Sequence, residues 1–220
     1  MSYNSIFDII GPIMVGPSSS HTAGAVRIGQ VARSLYGATA ELAEISFYGS
    51  FAHTYRGHGT DLAVVAGILG CSTFDERIPE AFQMAEEQGL SLSITAVEEE
   101  VPEPNTARIK LSGDRDTVEV LGVSVGGGAV EIREINGFKL NISGDKRTLL
   151  LFHQDRAGTV AEVASRLALR SLNISHMELS RKQRGETALL SLECDQIIDP
   201  ELIQQFSALA GVIKVIYVRP

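Results

Sequence analysis

The second half of the chain repeats a regular order of apolar strand-like and amphipathic helix-like stretches. Apolar alternation and helical spacing predict, in order, a strand (148–153), a helix (158–171), two strands (173–181 and 187–194), a helix (200–209) and a strand (212–218). This β-α-β-β-α-β order is typical of a ferredoxin-like sandwich of about seventy residues. Because so small a core is marginal alone, we expect this half to self-associate, sheet to sheet or side by side.

The first half mixes helices and strands in a less regular order. Its predicted helices are a short entry at 5–11, a small-residue helix from residue 23 to near Gly37, a buried helix at 62–70 and an amphipathic helix at 75–88. Its predicted strands lie at 44–49, 92–97, 106–112, 117–125 and 130–135, the last four expected to be antiparallel. We expect a loop at 51–56, and an Asn136-Gly137 hairpin turn before a strand at 138–142.

A polar linker at residues 143–146 separates the two halves. The 220 residues are enough for two small domains. The sequence therefore predicts an α+β protein with an N-terminal α/β domain at residues 1–143 and a ferredoxin-like domain at residues 148–220.

Composition and charge narrow the classes of function. The net charge is −8 and no basic cluster is present, which argues against a nucleic-acid partner. No apolar run is long enough to cross a membrane and the N-terminus has no secretory pattern, so we expect a cytoplasmic location without membrane contact. The two cysteines, Cys71 and Cys194, are too few for a four-thiolate iron–sulfur cluster, and no spacing of ligand residues indicates a metal site.

The most informative motif is Gly-Pro-Ser-Ser-Ser-His-Thr at residues 16–22. A helix is predicted directly after it, so the polar cluster falls at a helix N-terminus. Free backbone N–H groups and the positive end of the helix dipole favour a bound anion there. We expect a carboxylate or a phosphate to suit this position, with His21 able to exchange a proton with it.

A second motif, Gly-His-Gly-Thr-Asp at residues 57–61, repeats this chemistry before the next predicted helix. Hydroxyls and aspartate gather at helix starts for capping alone, so capping stays open as the role of each of them. Histidine is not a preferred cap. A helix N-terminus disfavours imidazolium, so His21 and His58 are both expected to be neutral and suited to acid–base work.

The second half resembles an ACT domain, in its first strand, in the turn at residues 154–160 and in the later segment at 172–177. The resemblance covers nearly all of residues 148–220 and implies an amino-acid-binding or oligomerising module. Its ligand would lie against the first loop, at Asp155 and Gly158. The alternative, that Gly158 only relieves a tight turn, stays open.

The whole chain resembles the beta chain of the two-chain, iron–sulfur-dependent L-serine dehydratases of bacteria. The two His motifs and the ACT-like second half carry this resemblance. The first half is also similar to a domain of one type of 3-phosphoglycerate dehydrogenase, where it serves in allosteric substrate binding. That shared module can bind without catalysing.

The resemblance implies a carbon–nitrogen lyase of amino-acid catabolism and gluconeogenesis that converts L-serine to pyruvate and ammonium. A 4Fe-4S cluster would be carried by a separate alpha chain. It implies catalytic roles for His21 and His58, with the choice of base open, and substrate binding by five hydroxyl residues: Ser18, Ser19, Ser20, Thr22 and Thr60. The alternatives are a purely regulatory amino-acid-binding subunit and a detached regulatory part of a phosphoglycerate dehydrogenase.

Overall fold

The computed structural model describes residues 13–114 and 117–218. The chain forms two compact units, Met1–Asn136 (unit 1) and Gly137–Pro220 (unit 2). The short helix predicted at 5–11 lies outside the described residues. Within residues 13–114 and 117–218, no helix is long and apolar enough to span a membrane.

In its described residues, unit 1 has four α-helices and a mixed sheet. A five-residue π-helical turn, Ser19–Ala23, leads into the first helix, and a short 3-10 turn, Ile78–Glu80, precedes the fourth. The elements are α1 (Gly24–Tyr36), β1 (Leu42–Tyr48), α2 (Gly49–His58), α3 (Thr60–Leu69), α4 (Ala81–Glu87), β2 (Ser91–Ala96), β3 (Asn105–Ser112), β4 (Val118–Gly126) and β5 (Ala129–Ile135).

The unit 1 sheet has the order β2-β1-β3-β4-β5. Strands β1, β3, β4 and β5 pair antiparallel, as predicted for the later ones. The prediction was wrong for β2, which pairs parallel with β1. Three helices intervene between these two strands, and a helical crossover is what returns the chain in the same direction.

Two helix predictions in unit 1 need correction. Residues 51–56 were expected to form a loop, but they lie within α2. Gly49 has φ of 54°, which turns the chain out of β1, and α2 buries Phe51 and Ala52. The helix expected at 75–88 is shorter, because Pro79 stands in the 3-10 turn and α4 begins only at Ala81.

Helices α1 and α3 cross in very close contact. A Cβ on Gly29 would overlap the carbonyl oxygen of Val64, and a Cβ on Gly67 would overlap that of Val26. The Arg33 guanidinium also donates to the carbonyl of Ile68 (2.9 Å) at the far end of the crossing. The turn before α1 contacts α2 and α3, so this crossing fixes where both His motifs lie.

Unit 2 begins with one strand, predicted at 138–142, and then has the predicted β-α-β-β-α-β order. Asn136 and Gly137 have the positive φ values, 50° and 79°, that a type I′ turn requires. The elements of the unit are β6 (Phe138–Ser143), β7 (Thr148–Gln154), α5 (Thr159–Leu169), β8 (Ile174–Arg181), β9 (Thr187–Cys194), α6 (Pro200–Ser207) and β10 (Val212–Val218).

The four strands β10-β7-β9-β8 pair antiparallel, as in a ferredoxin-like sandwich. The apolar face of this sheet packs against both helices of the unit. Its core includes Leu149, Leu151, Val163, Leu190, Leu192 and Phe206. The α+β class and the order of an α/β unit followed by a ferredoxin-like unit are therefore confirmed.

The helix crossing can be tested by giving Gly67 a side chain. We expect Gly67→Ala to lower the free energy of unfolding of unit 1 by about 3 kcal/mol, because the new methyl meets backbone that cannot move aside. The matched control is Gly57→Ala, at an exposed position of α2 where a Cβ meets nothing within 4 Å. Helix propensity predicts that this change raises the free energy of unfolding by up to about 1 kcal/mol. Urea denaturation followed by circular dichroism measures both, and equal midpoints would contradict the crossing.

Candidate functional site

The turn before α1 is wider than an α-helix and is capped by its own serine. Ser18 has extended backbone, and its hydroxyl accepts a hydrogen bond from the backbone N–H of His21 (3.2 Å). Single π-helical turns of this kind occur frequently at functional sites. Here the turn presents the His21 side chain at the start of a thirteen-residue helix.

Hydroxyl groups surround the His21 ring on both of its nitrogens. Nδ1 lies 3.2 Å from Ser20 Oγ and 3.4 Å from Ser18 Oγ. Nε2 lies 3.2 Å from the Oγ of Ser50, near the start of α2. The edge of the ring also contacts Phe51, with ring centroids 5.2 Å apart. The ring is therefore held in one orientation from two elements of unit 1.

The structure brings His58 directly against His21. Their ring centroids are 4.8 Å apart and the rings are nearly perpendicular, at 81°. His58 is solvent-exposed, whereas His21 is half-buried. The two motifs, far apart in sequence, therefore form one imidazole pair.

The backbone setting of His58 differs from the predicted one. His58 is the last residue of α2, and Gly59, with φ of 64°, separates it from α3. The argument from a helix N-terminus therefore applies to His21 alone and was wrong for His58. The missed helix α2 is the reason, since the Gly-rich motif ends one helix as well as beginning the next.

The two rings affect the acid–base behaviour of His21. Burial lowers the pKa of His21 below its usual 6.5, and the adjacent His58 lowers it further. Both effects disfavour the imidazolium form. The neutral ring has one nitrogen that can donate and one that can accept a proton.

The predicted hydroxyl residues fall into two groups. Ser18, Ser19 and Ser20 are partly buried. Thr22 and Thr60 are 2% and 0% exposed, and their hydroxyls have no hydrogen-bond partner in the part of the chain that the structure describes. The structure thus places Ser18 and Ser20 beside the His21 ring, Ser19 in the same turn, and both threonines in the interior next to the helix starts.

Comparisons with known proteins show the family of this chain. The family model described as serine dehydratase beta chain matches residues 5–118. This chain belongs to that family. The ACT domain model matches residues 147–211.

Two proteins named as beta chains match nearly end to end, and a dehydrogenase matches in part. A probable L-serine dehydratase beta chain of Bacillus subtilis is 52% identical, with 98% of each chain covered. An L-serine dehydratase beta chain of Peptoniphilus asaccharolyticus is 38% identical, over 96% of this chain and 95% of that protein. A D-3-phosphoglycerate dehydrogenase of Bacillus subtilis is 26% identical over 60% of this chain and 25% of its own length.

In the ACT domain of this serine dehydratase beta-family chain, the predicted ligand loop is held by its own contacts. Asp155 accepts hydrogen bonds from the backbone N–H of Gly185 (3.0 Å) and from Arg181 (2.9 Å), which lower its pKa. Gly158 has φ of 93° and caps α5, so the turn alone accounts for glycine. A Cβ at Gly158 would meet nothing within 4 Å. Asp155 therefore tethers the β8–β9 hairpin, and Gly158 faces open space.

The serine dehydratase beta-family chain does not fit an iron–sulfur cluster by its own residues. Cys71 and Cys194 are both buried free thiols, one in each unit. Across residues 13–114 and 117–218, no group of three or more His, Cys, Asp or Glu side chains is placed to hold a metal ion.

Sequence reasoning missed two neighbours of His21 in the family domain, Ser50 and Phe51. Both belong to α2, which was expected to be a loop. The available signal was the spacing of Phe51, Ala52 and Tyr55, which fits one helix face directly after a strand-ending glycine. With α2 recognised, Ser50 would have been placed at a helix start.

The surroundings of His21 predict the pH range in which its ring titrates. By NMR, His21 should titrate below pH 6.5 in the full chain, because burial and His58 both favour its neutral form. His58→Asn should raise the pKa of His21 only in part, since burial is the larger cause. The exposed His53 offers the matched control, and His53→Asn should leave the His21 titration unchanged.

The lowered pKa of His21 also makes the stability of the fold depend on pH. The His21 ring binds a proton less readily in the folded state than in the unfolded state. The contribution of His21 to the free energy of unfolding is therefore complete above pH 6.5, and it is lost as the pH falls toward the pKa of His21 in the folded state. A His21 titration at or above pH 6.5 would contradict the geometry of the pair.

Proposed function

We propose that this chain is the beta subunit of an L-serine dehydratase, a lyase that converts L-serine to pyruvate and ammonium. The observation that carries the proposal is the contact between His21 and His58, with ring centroids 4.8 Å apart. Two relatives that cover nearly the whole chain are named beta chains of this enzyme. We also propose a cytoplasmic location for it.

The reaction demands two proton transfers, and the imidazole pair is suited to both. Loss of water from L-serine removes a proton from the α-carbon and adds a proton to the departing hydroxyl. His21, which its lowered pKa keeps neutral, can take a proton at one ring nitrogen while it gives one up at the other, and hydroxyls already orient both nitrogens. His58 lies on the exposed side of the pair and is the second candidate for proton transfer.

The start of α1 is suited to holding the substrate carboxylate. It combines a helix N-terminus with the partly buried hydroxyls of Ser18, Ser19 and Ser20. Thr22 and Thr60 support the same proposal, because buried hydroxyls without a partner are costly unless something else bonds them. We propose these five residues as substrate contacts.

The 4Fe-4S cluster that the family resemblance implies is proposed to belong to a separate alpha chain. The residues of this chain do not fit such a cluster, as described above. This chain is then one of two that must assemble for activity. Its contribution is confined to binding, orientation and proton transfer at the His21–His58 pair.

A second candidate function is regulation by an amino acid bound at the ACT domain. The open space around Gly158 favours it, because a ligand can approach the first turn of α5 there. Asp155 would act by holding the neighbouring hairpin, and self-association of the ACT domain would be part of this role.

The catalytic proposal is tested by kinetics of the two-chain enzyme, reconstituted anaerobically and assayed for pyruvate. We expect His21→Asn and His58→Asn each to lower kcat by about 10²-fold or more, the usual range for loss of general acid–base catalysis. His53→Asn, a change in the same helix as His58, should keep kcat within about twofold, because no step of the proposed proton transfer involves it.

The two candidate functions give opposite results in this assay. If both His21→Asn and His58→Asn keep kcat and KM near the unchanged enzyme, the catalytic proposal is wrong. L-serine binding to the full chain by calorimetry, unaffected by either change, would then support a purely regulatory subunit.

A further inference from the structure

The hydroxyl of Ser50 lies against Nε2 of His21, and the proposed function gives it no role. We infer that Ser50 is a positioning residue for His21, closing a hydrogen-bonded line that runs Ser18–Ser20–His21–Ser50. This rests on the proposed function, since it concerns how His21 moves a proton. The line combines three contacts, of 3.3, 3.2 and 3.2 Å.

The position of Ser50 is set by its surroundings and not by His21 alone. Gly49 turns the chain at the end of β1, and the N–H of Phe51 donates to the carbonyl of Pro104 (3.3 Å). The Thr54 hydroxyl donates to the carbonyl of Ser50 (2.6 Å). Ser50 is therefore anchored on both sides through its backbone, which leaves its hydroxyl to meet Nε2 of His21.

The protons on this line have two complete arrangements. In the first, Ser18 donates to Ser20, Ser20 donates to Nδ1, and the N–H at Nε2 donates to Ser50. In the second, Ser50 donates to Nε2, the N–H at Nδ1 donates to Ser20, and Ser20 donates to Ser18. Each arrangement keeps the ring neutral and satisfies both nitrogens, since a hydroxyl can donate and accept at once.

Passing from the second arrangement to the first moves one proton along the line. One proton leaves the Ser18 hydroxyl and is replaced from Ser20, then from Nδ1 of His21. Ser50 gives its proton to Nε2 and takes up one from outside. No imidazolium forms, which fits a ring that burial and His58 keep neutral. Without the Ser50 hydroxyl, Nε2 has no protein group to exchange with on this line.

Three substitutions in the assembled enzyme test this role. We expect Ser50→Ala to lower kcat by about tenfold to a hundredfold with KM within about threefold, because substrate contacts are unchanged while the ring loses its partner. Ser50→Thr keeps a hydroxyl and should recover most of kcat. His53→Ala truncates an exposed side chain of α2 that has no part in the line or in the anchoring of Ser50, and should stay within about twofold.

The outcomes separate this inference from the proposed function. If Ser50→Ala keeps kcat within twofold while His21→Asn loses activity, the role of Ser50 is wrong and the proposed function stands. If His21→Asn keeps full activity, the proposed function itself fails. A loss in His53→Ala equal to that in Ser50→Ala would show a general disturbance of α2 and overturn the inference.

A measurement on the unchanged chain covers the case in which Ser50→Ala does not fold. Nitrogen-15 NMR of the histidine rings reports whether Nε2 of His21 is hydrogen-bonded. The inference requires both ring nitrogens of His21 to show hydrogen bonding. An Nε2 signal typical of free, solvent-exchanging imidazole would overturn it.

Discussion

The close crossing of α1 and α3 is the constraint on which the rest of unit 1 depends. Gly29 and Gly67 lack side chains where each helix meets the backbone of the other. Larger residues would separate the helices and with them the two segments that precede them, the His21 turn and the end of α2. The contact between His21 and His58 therefore depends on small residues further along α1 and α3, because closely packed helices hold their ends in fixed positions.

The two histidines differ in burial and in hydrogen bonding. His21 is half-buried, bonded by hydroxyls on both ring nitrogens and shifted toward its neutral form. His58 is exposed and lies in the last turn of a different helix. One ring is thus fixed by its contacts, and the other is exposed to solvent. An asymmetric pair of this kind is what separate acceptance and donation of protons requires.

Sequence reasoning reached the architecture more readily than the site. The unit 2 elements followed from periodicity, and the turn from the Asn136-Gly137 pair, whose two positive φ values the structure shows. The parallel pairing of β2 was missed because alternation carries no direction. Helix α2 was missed because glycines flank and interrupt it, and Ser50 was missed with it. The motifs located His21 and His58, but their contact depends on tertiary packing that no local pattern encodes.

The most direct test is a structure of the two-chain enzyme with L-serine bound. The account predicts that the serine carboxylate lies at the start of α1, within hydrogen-bonding distance of Ser18 or Ser20, and that the His21 or His58 ring approaches its α-carbon. L-serine found at the Gly158 loop alone, with the His21–His58 pair facing no substrate, would contradict it.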